Sequence, residues 1–430
     1  MKVAPPTTVA SRARPLVATL LLALLPLSFS VPVKLKVALI AVLFVYGLGL
    51  LIVDRETRAI YRGARPVVLV CALSLIYAIA NILGHRLGWH ELDLPSHVLI
   101  FLAIAAVFTK PIHTGWFWLG LSLTAAMLGL VCIYQHYVQG AARPTGLDGA
   151  DWGVIELAMF ILVLALGAVL QVLRTQVALP ERAVHAICAI LGMYGALLTQ
   201  SRGPLLACLP VFLLIICLNA VRTKKWRDTI VVLAGAMVIA AISIAFLRNE
   251  IMTRFTAIGH EVTTYSAQET QGAVRERLEM WRVASHAFLE HPITGVGIDQ
   301  FGKYTHSLVT SGLASESIAK YEHPHSEYLE AAVTGGVPGL MVLLLLFGVP
   351  LLFFARRVLD PCDDIAMAAT MGLLTVSVYA LCGFTDNVLY RSMPHSLFFF
   401  LTLGMAVLVS RLLGERARNT RNVAAQPLRH

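Results

Sequence analysis

Arg202 sits in Thr199-Gln200-Ser201-Arg202-Gly203-Pro204, a polar interruption of a few residues between two apolar runs. A guanidinium at such a boundary is costly without a partner, which marks it as a binding candidate; the plainer alternative is that its long stem turns towards lipid headgroups. His325 lies in His323-Pro324-His325-Ser326-Glu327-Tyr328-Leu329-Glu330, directly before another apolar run. Imidazole is the side chain whose ordinary pKa best suits proton transfer near neutrality. Between these two motifs a helical pattern from Ala273 to Glu290 carries Arg275 and Arg277. Its apolar face is expected to comprise Val274, Leu278, Trp281, Ser285 and Phe288. At about 100° per residue, Arg277 then falls beside Trp281 and Phe288, while Arg275 joins Glu279 and Arg282 on the polar side. Arg277 is therefore expected to face the membrane bundle, with Arg275 taking its place if the helix starts elsewhere. Arg143-Pro144-Thr145-Gly146-Leu147 adds a further basic group in a turn.

Several arginines at one membrane boundary can clamp a diphosphate through bidentate, charge-assisted bonds, doing the work of a divalent metal. A polyprenyl diphosphate fits that arrangement, with its chain among the helices, its diphosphate at Arg202 and Arg277, and its glycan projecting outwards. His325 then removes a proton from an acceptor hydroxyl as that oxygen attacks the anomeric carbon, which predicts single displacement with inversion. Arg143, Ser201, His323 and Tyr328 are candidates to support this site. Two histidines two apart, with His291 in a nearby His-Pro-Ile-Thr-Gly-Val-Gly turn, are the beginnings of a metal set. No His-Glu-x-x-His, paired-cysteine or Asp-x-Asp spacing completes it, so no metal and no cofactor is expected. The glycines of that turn lack the spacing of a nucleotide-binding loop. Glu327 and Glu330 also suit the positive end of a starting helix, a role that needs no chemistry.

The elements that must position these groups are membrane spans. The chain has 430 residues, of which 57% are hydrophobic and only 14% charged, with mean hydropathy +0.74. A soluble domain carries about 25% charged residues, so an ordinary globule is excluded. Runs long enough to cross about 30 Å of hydrocarbon predict twelve helices. They cover 15–33, 35–53, 66–84, 96–109, 115–134, 154–173, 183–199, 204–221, 229–247, 331–354, 365–384 and 395–412. The first is followed at once by a second apolar run and has no small-residue cleavage site, so it is taken as a span and not as a leader. With the N-terminus inside, 21 of the 34 Lys and Arg fall in cytoplasmic segments. Seven of the others lie in the long segment 248–330, which is exempt from the charge rule, so the orientation is well determined. This placement also explains the net charge of +9 without a nucleic-acid partner. The division expected is spans one to nine over 1–247, a large outer loop over 248–330, spans ten to twelve over 331–413, and a polar tail over 414–430 that frays. No internal repeat is visible, and the seven cysteines read as small packing residues.

Taken together, Ser201-Arg202-Gly203, Arg277 ahead of Trp281, the turn from His291 to Gly297, and His325-Ser326-Glu327-Tyr328-Leu329 resemble the O-antigen ligase and polymerase superfamily of bacterial inner membranes. The resemblance covers about residues 195–345, with Arg143-Pro-Thr-Gly as a weaker earlier match. Many members have Asn directly after the histidine, where this chain has Ser326, so an Asn contact does not carry over. The resemblance implies an all-α polytopic integral membrane protein with one large periplasmic loop, a metal-independent glycosyltransferase of GT-C-like architecture. It implies undecaprenyl-diphosphate-linked glycan as donor, and membrane lipids around it. The acceptor implied for a ligase is the lipid A core, in lipopolysaccharide assembly. A polymerase would extend the donor chain, and an O-linked oligosaccharyltransferase would modify protein hydroxyls. A single large loop and a short tail favour the ligase. A transporter or flippase would call for two related halves, which the chain lacks.

Overall fold

The computed structural model describes residues 9–30, 33–147, 153–174, 177–227, 230–235 and 273–424. Hydrocarbon offers no partner for a peptide group, so each spanning segment must satisfy its own backbone, and these apolar runs accordingly form helices. In order they are α1 (Val9–Ser28), α2 (Val33–Val53), α3 (Arg55–Gly63), α4 (Arg65–His85), α5 (Asp93–Ala105), α6 (Thr114–Tyr137), α7 (Val154–Leu173), α8 (Leu179–Leu198) and α9 (Arg202–Thr223). There follow α10 (Ala273–Glu290), α11 (Phe301–Thr310), α12 (Glu327–Ala355), α13 (Asp363–Cys382) and α14 (Ser392–Ala424). No strand occurs among the described residues.

Ten helical stretches among the described residues are long and apolar enough to cross a membrane, and Pro15–Ser28 within α1 is a shorter apolar one. The remaining expected span, 229–247, is helical over 230–235 and otherwise lies outside the described residues, as does the first part of the outer loop, up to 272. The short fourth span gains a 3₁₀ turn, Trp89–Leu92, and runs from Trp89 to Thr109. The tail expected to fray from 414 instead continues α14 to Ala424. Arg416 pairs with Asp360 at 2.6 Å and Arg418 with Glu56 at 2.5 Å, which gives the polar extension something to hold. Inside the 54–65 loop, α3 was not foreseen; Asp54 caps it by accepting from the Glu56 and Thr57 amides.

The most enclosed helices are α7, α13 and α14, which have no face left for solvent or lipid over most of their length. A helix apolar all round belongs in the middle of a bundle, and these three are surrounded by the rest. The loops expected on one side of the membrane do meet at one end. There Lys110 reaches Asp54 at 2.5 Å, and Asp363 receives both Arg174 and Arg222 at 2.8 Å.

At the opposite end, α12 is broken where the outer segment docks into it. Gly336 has φ +62°, and a Cβ there would lie 2.5 Å from the Pro292 carbonyl oxygen, so only glycine fits. The gap in the helix exposes amides and carbonyls, which the turn after α10 takes up. The Val296 and Gly297 amides donate to the Val333 and Thr334 carbonyls, and the Val337 amide donates to the Pro292 carbonyl. From α4, Asn81 bridges both partners, donating to the Thr334 carbonyl at 2.9 Å and accepting from the Ile298 amide at 2.9 Å. The His-Pro-x-x-Gly-x-Gly turn is thus a splice between the outer segment and a membrane helix.

Candidate functional site

α10 occupies the residues expected of it, but its buried face is turned. Met280, Val283, Ala284 and Ala287 pack inwards against Phe301, Ile318 and Val333. Leu278 is 46% exposed and Ser285 is exposed, contrary to the apolar face read from the sequence; the side chain of Val274 lies outside those described. The sequence pattern favoured the larger apolar side chains, whereas the contact with α12 takes the small ones, Ala284 and Ala287, because close helix approach needs them. Arg275, placed on the polar side, is in fact buried, and Arg277 is half-buried.

α10 fixes the histidine motif directly. Trp281 Nε1 donates to the Pro324 carbonyl at 3.0 Å, Lys320 pairs with Glu276 at 3.0 Å, and the Tyr321 hydroxyl donates to Glu276 at 2.5 Å. Held from behind in this way, the chain passes through His325 with φ +49°, a left-handed conformation that costs a side-chain-bearing residue about 1–2 kcal/mol. Ser326 then occupies the first position before α12 in an extended conformation, its hydroxyl donating to the Gly383 carbonyl at 3.4 Å. The Glu327 amide donates to the Gly383 carbonyl at 2.8 Å and to the Asp386 carbonyl at 3.2 Å, tying the motif to the loop between α13 and α14.

That loop supplies what the sequence reading lacked. His325 Nδ1 lies 2.8 Å from Asp386 Oδ1, with the carboxylate almost fully buried. An ionised carboxylate can only accept, so Nδ1 carries the hydrogen and Nε2 of a neutral ring keeps its lone pair. Burial acts to raise the Asp386 carboxyl, but its hydrogen bond and charge attraction to His325, the Asn387 amide and the Arg277 guanidinium outweigh this and hold it below the usual carboxylate range. Burial, followed by the charge of His325, pushes His323 down to about 4, so that ring is neutral at physiological pH. It lies against both Tyr390 and His325, with ring centroids 4.5 and 4.7 Å away.

A cavity of about 430 Å³ opens in front of the pair. Arg143, Glu156, Lys320, Tyr321, Glu322, His323, His325, Asp386, Tyr390 and Arg391 line it together with the backbone at the start of α7. Arg391 donates to Glu156 at 3.0 Å. Arg143 is aimed by the Thr199 carbonyl at 3.0 Å and the Ser201 hydroxyl at 3.4 Å, and Ser201 in turn donates to the Val154 carbonyl at 3.2 Å. Ser201 therefore joins three segments at the wall of the cavity.

Of the residues singled out from the sequence, Arg143, His323 and His325 line this cavity, and Ser201 positions one of its walls. Arg277 lies near enough to act on the charge of Asp386. Arg202 is the exposed first residue of α9, and its neighbour Gly203 packs so closely on Thr385 that a Cβ would lie 2.6 Å from the threonine hydroxyl. Arg202 and Arg277 thus border the Asp386 loop and are not among the residues lining the cavity. Tyr328 turns away, donating to the Ala380 carbonyl at 2.8 Å and stacking on Phe384, which is a packing role. Sequence reasoning missed Asp386, Arg391, Glu156 and Tyr390. A signal was present: Asp386 and Arg391 are the only formal charges between Asp364 and Arg411.

A second, shallower cavity of about 550 Å³ lies beside the splice, lined by His85, His291, Thr294, Gln300, Lys303 and Tyr304 among others. His85 holds the Thr294 carbonyl at 2.9 Å on its rim.

Comparison with known proteins bears on the same region. Residues 187–344 match the family described as O-antigen ligase. The chain is also 23% identical over 283 residues to an uncharacterized protein of Haemophilus influenzae, an overlap that spans 64% of this chain and 69% of that protein. The family match begins in α8, ends just past the break in α12 and includes Arg202, α10, the splice and His325. On that match, this multi-pass bacterial membrane protein carries, over residues 187–344, a region similar to the O-antigen ligase family.

Proposed function

We propose that the protein is an O-antigen ligase of the inner membrane, with its site on the periplasmic side, transferring glycan from undecaprenyl diphosphate to the lipid A core. The observation that carries this reading is the His325–Asp386 pair, set in a cavity with arginines around it. Asp386 holds the imidazole with Nδ1–H towards the carboxylate, so that Nε2 can accept the proton of the acceptor hydroxyl. As that proton transfers, the acceptor oxygen forms its bond to the anomeric carbon. The bond from that carbon to the diphosphate oxygen breaks, and the electron pair leaves with the diphosphate. One displacement of this kind inverts the anomeric centre.

The departing diphosphate needs positive charge where its own charge grows. Arg202 and Arg277 serve that end beside the Asp386 loop, with Arg275 as the alternative to Arg277. Arg143 and Arg391, already facing the cavity, extend the positive field to the reacting oxygens. His323 and Ser201 shape the wall. The cavity beside the splice, with its histidines, lysine and glutamine, offers hydrogen-bonding groups of the sort a glycan uses.

The test is transfer by the purified full-length protein in detergent, in EDTA, given undecaprenyl-diphosphate glycan and lipid A core. Glycosylated core is the expected product. A bare core with lengthened donor would make the protein a polymerase, and no transfer by intact, donor-loaded protein would remove the transferase reading.

A further inference from the structure

His323, His325 and Asp386 place three potential ligand atoms within 4.8 Å of one another. His325 Nδ1 and Asp386 Oδ1 are already 2.8 Å apart. His323 Nδ1 is buried and has no hydrogen-bond partner among the described residues. Its ring is kept in place by contacts with Tyr390 and with His325. A tetrahedral zinc ion binds imidazole nitrogen and carboxylate oxygen at about 2.0–2.2 Å, which sets the ligand atoms roughly 3.4 Å apart. Small side-chain rotations bring the three atoms to that spacing, and the cavity leaves the fourth position open to water. Two imidazoles and one carboxylate suit zinc or cobalt far better than magnesium or calcium, which prefer oxygen alone.

We propose that His323, His325 and Asp386 form a zinc site that switches the protein off. Zinc takes the nitrogen and oxygen that otherwise share a proton; the ring's hydrogen moves through water from Nδ1 to Nε2, which can then no longer accept a proton, and Asp386 is left unable to orient the ring. Loss of transfer on zinc binding rests on the ligase reading above; the binding itself does not. The two histidines were legible as the start of a metal set, but the third ligand was not, because two membrane helices, α12 and α13, separate it from them in sequence.

The experiment uses full-length protein in detergent, its affinity tag removed, stripped with EDTA and desalted. Cobalt(II) is titrated while tetrahedral absorption in the visible is followed, and zinc is then added in competition. One cobalt per chain is expected, displaced by one equivalent of zinc. His323→Gln and Asp386→Asn should each weaken binding at least tenfold, with His291→Gln unchanged. Absence of saturable tetrahedral absorption in wild type would overturn the site, and so would equal affinity in wild type and in His323→Gln protein that elutes as a monodisperse species. Transfer is measured in parallel, with and without zinc. Cobalt binding with no transfer under any condition would count against the ligase reading alone. Transfer that persists with the site zinc-loaded would overturn the switch.

Discussion

Asp386 does for His325 what an unpaired imidazole cannot do for itself: it selects one tautomer and stabilises the ring once it gains a proton. Asp386→Asn keeps the shape and removes the charge, so kcat is expected to fall about 10²-fold or more with KM little changed; steady-state kinetics on both substrates checks this. A pH test follows from the carboxyl being held below its ordinary value of about 3.9. A lowered folded-state pKa contributes stability that is complete above the unfolded value and disappears as pH drops through the folded one. Wild type should therefore melt above Asp386→Asn at pH 7, with the gap closing below about pH 4. A gap that stays constant to pH 3 would mean the carboxylate contributes by shape alone. At this scale, His325, His323 and Arg143 were legible because a polar residue at an apolar boundary stands out. Asp386 and Arg391 obey the same rule, but they fall in the short connection between a span ending at 384 and another starting at 395, where no recognisable motif surrounds them. Nothing in spacing could pair His325 with a residue beyond both α12 and α13.

The splice is the element that gives the site its rigidity. Its hydrogen bonds join a membrane helix, the outer turn and α4 through Asn81. Asn81→Ala would leave the Ile298 amide without its side-chain partner, at about 1–3 kcal/mol, while the Thr334 carbonyl keeps the Gly297 amide. A drop in thermal midpoint, with earlier proteolysis between α10 and α11, is expected; an unchanged melt would show that water replaces Asn81 at no cost. The extent of α10 was legible from its helical period, since the alternation of polar and apolar residues marks both ends. Its orientation was not, because small residues, Ala284 and Ala287, took the contact that hydropathy assigned to Leu278. The break at Gly336 was hidden within a run of apolar and small residues that looks continuous.

For the whole molecule, the apolar runs and the basic loops made the bundle legible, and the ion pairs of Lys110, Arg174, Arg222 and Arg416 gather the basic loops at one end. Single cysteines at Lys303 and Arg418 in a cysteine-free background test the sidedness proposed: a membrane-impermeant maleimide should label 303 on intact spheroplasts and 418 only after lysis. Labelling of 418 first would invert the molecule. The order of loops, the charge at one end and the site at the other converge on a single claim, that His325 is the base for glycosyl transfer at the outer face. The most direct test is the rate of glycan transfer by His325→Gln beside wild type, at saturating donor and with donor affinity measured separately. A rate lower by about 10²–10⁴-fold with donor affinity retained is expected. Turnover near the wild-type rate would contradict that claim.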